Sequence, residues 1–126
     1  MRIDEFDAPY HEIDIPARFL GFANNESEKY LWFQRDEEFE GDPLLPNAGN
    51  VWVERDDQAW DGHGGIAGVV LTRTTLTVVF TPEATEYMGG YEEIRISVAL
   101  NDAAYSAVRE QLFRVFVGYE MLLRIE

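Results

Sequence analysis

The chain has 126 residues, 46% of them hydrophobic, which suits one domain spanning residues 1–126 with its own core. Its 10 basic and 24 acidic residues leave a formal charge of −14, which opposes nucleic-acid binding because phosphate contacts need lysine and arginine. Cysteine is absent, which excludes disulfides and thiolate chemistry, and no run approaches the roughly 18 apolar residues of a membrane span. Met1 to Phe6 lacks the apolar segment of a signal peptide, so the cytoplasm is the default compartment.

Alternation dominates the first hundred residues. Ala17 to Ala23 is a mostly apolar run and Lys29 to Gln34 an aromatic one, with turn chemistry at Asn24 to Glu28, so the two read as a hairpin. Asp36 to Pro46 holds five acids, a glycine and two prolines and is the least structured-looking stretch. Val51 and Val53 alternate with Trp52 and Glu54, as in a strand with one wet face. Ile66 to Thr72 and Thr74 to Phe80 are valine- and threonine-rich and form a second tight hairpin about Arg73.

Pro82 ends that hairpin, and Glu83 to Tyr87 forms a helical turn before Gly89-Gly90. In Glu92 to Leu100, Ile94, Ile96, Val98 and Leu100 share one side and Glu93, Arg95 and Ser97 the other. Asn101 or Asp102 then caps a helix on which Ala104, Tyr105, Val108, Leu112, Val115 and Phe116 recur at helical spacing, with Gly118 as its stop. Tyr119 to Ile125 returns as a last strand or turn. The expected class is α+β: a mainly antiparallel sheet of about six or seven strands with the C-terminal helix packed on a face, in preference to a sandwich. A barrel is the alternative.

Catalytic patterns are missing. Ser27, Ser97 and Ser106 lie in no nucleophile elbow, and neither His11 nor His63 stands at a recognised spacing from a serine. Asp56, Asp57, Asp61 and His63 are potential metal donors but match neither a calcium loop nor a zinc helix, so no metal or other cofactor is expected. Adjacent carboxylates such as Glu37-Glu38 and Glu92-Glu93 face opposite ways on a strand and read as solvated. Gly62-His63-Gly64-Gly65 lacks the ending of a phosphate-binding loop; its glycines permit positive torsions and let the Trp60 segment tuck inward.

Val51 to Gly65 nevertheless stands out, with two tryptophans and four acids in fifteen residues. Aromatic anchors ringed by charge are the usual anatomy of a binding hot spot. The strand Tyr30-Leu31-Trp32-Phe33-Gln34-Arg35, Val51-Trp52-Val53-Glu54, the run Asp57-Gln58-Ala59-Trp60-Asp61-Gly62-His63-Gly64-Gly65-Ile66, and Glu92-Glu93-Ile94-Arg95-Ile96 before the helix together resemble immunity protein family 10 of bacterial polymorphic toxin systems. The resemblance spans nearly the whole chain. Two positions depart from it: Asp56 stands where asparagine is frequent, and His63 where tyrosine is.

That resemblance implies a small cytoplasmic protein, not an enzyme, that neutralises a cognate toxin by binding it. The acidity fits a toxin with a basic surface, a nuclease for example, through faster encounter, although acidity also serves solubility or adaptation to salt. The candidate partner-binding residues are Trp32, Asp36, Glu37, Glu38, Glu54, Asp57, Gln58, Trp60, Asp61 and His63. No nucleic acid or membrane is expected as partner, and the chain would act as a monomer or homodimer. The alternatives are a small metal-dependent hydrolase using Asp57, Asp61 and His63, or a self-associating scaffold subunit.

Overall fold

A computed structural model describes residues 2–36 and 44–126, with only the backbone of residues 57–59, and among the described residues ten strands and two α-helices form. The strands are β1 (Ile3–Asp7), β2 (Tyr10–Asp14), β3 (Phe19–Asn24), β4 (Lys29–Arg35), β5 (Val51–Arg55), β6 (Asp57–His63), β7 (Ile66–Leu71), β8 (Thr75–Phe80), β9 (Glu93–Ser97) and β10 (Leu123–Ile125). The helices are α1 (Pro82–Tyr87) and α2 (Asp102–Val115). The α+β class and the C-terminal helix agree with the sequence. The single sheet of six or seven strands does not: the strands divide into two five-stranded sheets, ordered β1-β9-β8-β7-β10 and β2-β3-β4-β5-β6.

The second sheet is antiparallel throughout. The first has an antiparallel centre, β7-β8-β9, with β1 added parallel to β9 and β10 parallel to β7. Both expected hairpins form, β3–β4 and β7–β8. Alternation in β8 buries Leu76, Val78 and Phe80, and in β9 it buries Ile94 and Ile96, with Val98 and Leu100 continuing the series. Leu20, Phe22, Leu31, Phe33, Val51 and Val53 of the second sheet join them in one continuous core.

Helix α2 completes that core. The side chain of Asn101 accepts the amide of Ala104 at 2.8 Å, closing its N-terminus as expected. Val108, Leu112 and Val115 are buried, and Phe116 meets Phe33 edge-on at 5.4 Å. Buried Gln111 donates to the carbonyls of Asp14 and Phe19, at 2.9 and 3.0 Å, fixing the helix to β2 and β3. At the other end Arg35 of β4 donates to the carbonyls of Val115 and Val117, which suits a cation at a helix C-terminus.

A buried ionic cluster joins the two sheets. Arg55 of β5 is 1% exposed and bonds Asp4 of β1 and Asp56, the latter at 2.5 Å; Lys29 of β4 bonds the same two carboxylates. Arg55 also donates to the carbonyl of Met88 at 3.0 Å and lies 5.1 Å from the Trp60 ring and 4.9 Å from that of Tyr91. The two carboxylates match the charges of buried Arg55 and half-buried Lys29, which makes the pair of cations tolerable there, while the Arg55 Nε has no hydrogen-bond partner among the described residues. No helix among the described residues is long and apolar enough to cross a membrane.

Candidate functional site

Register sorts the second sheet into two sides. Its inward positions pack under α2 and against the first sheet, so its outward positions form the opposite face. Three rows cross that face, strand by strand: Tyr10, Ala23 and Tyr30; Glu12, Gly21, Trp32, Glu54 and Asp61; Asp14, Phe19, Gln34, Trp52 and His63. Five aromatic residues and four carboxylates thus share one surface, with no lysine or arginine in any row. Tyr10 is 52% exposed, and Trp32, Trp52, Glu54 and Asp61 are half-buried, so the face is open.

Local contacts hold these side chains in place. Tyr30 donates its hydroxyl to Glu54 at 2.7 Å. Phe19 leans on Trp32, ring centres 5.2 Å apart, and His63 meets Trp52 edge-on at 4.9 Å. The His63 Nε2 atom lies 2.6 Å from a carboxylate oxygen of Asp36, the residue that follows β4, and so draws Asp36 to the same edge of the face. A sheet displays such groups more rigidly than a loop would, which lowers the entropy cost of engaging them.

Five of the sequence candidates therefore meet: Trp32, Glu54, Asp61 and His63 on the rows, and Asp36 beside them. Trp60, which follows the opposite side of β6, does not. It stacks over Arg55, and its ring lies against Gly89, where a Cβ would sit 3.1 Å away. The inward placement of Trp60 agrees with the sequence, but its neighbouring glycines serve another ring. Gly62 faces Tyr87, at 2.6 Å from a hypothetical Cβ, while Gly64 and Gly65 take the positive torsions of the turn into β7. Glu37 and Glu38 fall outside the described residues, as do the side chains of Asp57 and Gln58.

Of the metal-donor alternative, Asp61 and His63 lie on one face of β6, and the side chain of Asp57 is outside the described residues. Asp56 is committed to Arg55 and Lys29, while Asp61 and His63 sit beside Glu54 and Trp52 in different rows. Among the described residues, no group of three or more His, Cys, Asp or Glu is placed to hold a metal ion. Asp56 also adopts φ +53°, a torsion that asparagine and aspartate tolerate better than other side-chain-bearing residues. Aspartate in the place of asparagine keeps the turn and adds the carboxylate that Arg55 and Lys29 share.

Sequence reasoning missed Tyr10 and Glu12 because it assigned no strand to residues 10–14, and it missed Phe19 because it placed the Ala17 to Ala23 run in a hairpin without assigning its faces. The signal was present: in Tyr10-His11-Glu12-Ile13-Asp14 the outward and inward residues alternate. Asp4 had no such signal, since its partner Arg55 is 51 residues away.

Fold and face together define an acidic α+β protein with an open, aromatic-rich sheet surface. A family model described as Immunity protein 10 matches residues 10–106, and the chain belongs to that family. The match contains the whole second sheet. Searches among curated proteins and solved structures returned no match.

Proposed function

We propose that this chain is a non-enzymatic, cytoplasmic immunity protein, folding and acting as one unit, that neutralises a cognate bacterial toxin by docking the open face of its second sheet onto a basic toxin surface. The observation that carries this is the convergence of Trp32, Trp52, Glu54, Asp61 and His63, from three different strands, onto one face without a cation in its rows. Aromatic anchors desolvate well and carboxylates select a positive partner, so the face supplies both residence time and steering. Asp36 extends the acidic margin at the His63 edge, and Glu37, Glu38, Asp57 and Gln58 are further candidate contacts by residue type. Trp60 acts indirectly, through its contact with Arg55.

Covering the nucleic-acid channel of a basic nuclease would be enough for protection, with no chemistry performed on the toxin. The test is titration calorimetry with the toxin domain encoded beside this chain. The double variant Glu54→Lys/Asp61→Lys should weaken binding by about tenfold or more, and wild-type association should slow as salt is added. Unchanged affinity in the double variant, with its fold intact, would overturn the docking face.

A further inference from the structure

The centre of the open face is a trough, and its origin lies in one strand. The outward residues of β3 are Phe19, Gly21 and Ala23, so its midpoint carries almost no side chain. Its neighbours are tall. Tyr10 and Glu12 rise from β2 on one side, and Tyr30 and Trp32 from β4 on the other, paired directly across Ala23 and Gly21. Phe19 leans against Trp32 at one end. The resulting groove encloses about 540 Å³, which is room for a long side chain with its flanking backbone.

We propose that this groove receives an arginine side chain of the toxin, which rests on the reading of the open face as the docking surface. The chemistry of the walls selects the occupant. A planar guanidinium stacks on aromatic faces and forks onto carboxylates, and here Tyr10, Tyr30 and Trp32 offer the faces while Glu12 and Glu28 offer the carboxylates. Lys29 also borders the groove, but its ammonium is held by Asp4 and Asp56 and leaves the acidic balance of the walls intact. An apolar side chain would strand Glu12 without compensation, and an anion would be repelled by it. Gly21 is the limiting position: a Cβ there would stand 3.1 Å from the Phe19 ring and 3.2 Å from the Trp32 Cβ, so any larger residue closes the slot.

Two measurements on the full chain test this. The first is affinity for the toxin domain encoded beside it, for Tyr10→Ala, Glu12→Gln and the Glu54→Lys/Asp61→Lys variant. Tyr10 and Glu12 are exposed, so their replacement spares the core, and thermal melting confirms it. Each groove variant should weaken binding by about tenfold. One toxin arginine should also lose its own contribution when Tyr10 is already alanine, in a double-mutant cycle. The second follows the Trp32 indole resonance during titration with an amidated Gly-Arg-Gly peptide and its uncharged citrulline counterpart; the arginine peptide alone should shift it.

If Glu54→Lys/Asp61→Lys weakens toxin binding while Tyr10→Ala and Glu12→Gln do not, the groove assignment is wrong and the docking face stands. If neither set matters, both fall. Equal shifts with arginine and citrulline peptides would also overturn the cationic occupant.

Discussion

Arg55 is where removal of one side chain should cost this protein most. Its guanidinium is buried among Asp4, Asp56, the Met88 carbonyl and the rings of Trp60 and Tyr91, and it ties the edge strand of one sheet to the middle of the other. In Arg55→Met the methylene volume is roughly kept but the charge is lost. Two carboxylates, 12% and 10% exposed, then share only Lys29. Removing one partner of a buried pair costs about 3–5 kcal/mol, since the other is left uncompensated. For a chain of this length each kcal/mol moves the midpoint by roughly 3–5 °C, so melting should fall by about 10–20 °C. Differential scanning calorimetry at neutral pH measures this directly. Adding Asp4→Asn to Arg55→Met should recover part of the loss, because the stranded charge is removed as well. A loss below about 1 kcal/mol for Arg55→Met alone would refute the view that the cluster clamps the sheets.

Stability should decline in alkali. Burial alone would depress the Lys29 ammonium, but its bonds and charge interactions with Asp4 and Asp56 outweigh that and raise it above 10.5; burial, helped by Glu83, raises the Tyr87 phenol above 10.0. Both groups hold a proton more tightly when folded, so their contribution is complete below the unfolded pKa and is lost as pH climbs through the folded value. Urea unfolding from about pH 9 to about pH 12 should show that fall, and Tyr87→Phe should remove its own share. Gly89→Ala should destabilise by about 1–3 kcal/mol, because φ is +80° and the new methyl meets the Trp60 ring; the near-ultraviolet tryptophan signal should change with it. Asn101→Ala should cost about 1 kcal/mol in chemical unfolding by loss of the helix cap, whereas Asn101→Asp should cost little.

Periodicity and punctuation made much of this protein legible in advance. The two hairpins, the alternation through Leu100, the capped C-terminal helix and the returning strand each depend on neighbouring residues, so local pattern suffices to reveal them. Membership of the immunity family was carried by a similar local run, from Asp57 to Ile66, which the family match over residues 10–106 contains. The division into two sheets was a different matter. Residues 3–7 read as a short, charged segment and residues 10–14 carry only a brief alternation, and pairing with β9 and β3 makes both of them strands. Partner choice in a sheet depends on residues far away in sequence, which composition and spacing do not encode.

The same division holds for the site. Sequence alone picked out Trp32, Glu54, Asp61 and His63 by residue type, because aromatic and acidic residues mixed in one strand are conspicuous. Their union on one face follows from register, since pairing Trp32 with Glu54 and Glu54 with Asp61 turns three separate strands the same way. The trough depends on Gly21 standing between Glu12 and Trp32, and the inward turn of Trp60 on a guanidinium held by Asp4 from the other sheet. Local chain chemistry thus determined which side chains were available, the family and the class of fold. Tertiary pairing decided which of them face outward together, because a strand has two sides and only its partners fix which one meets solvent.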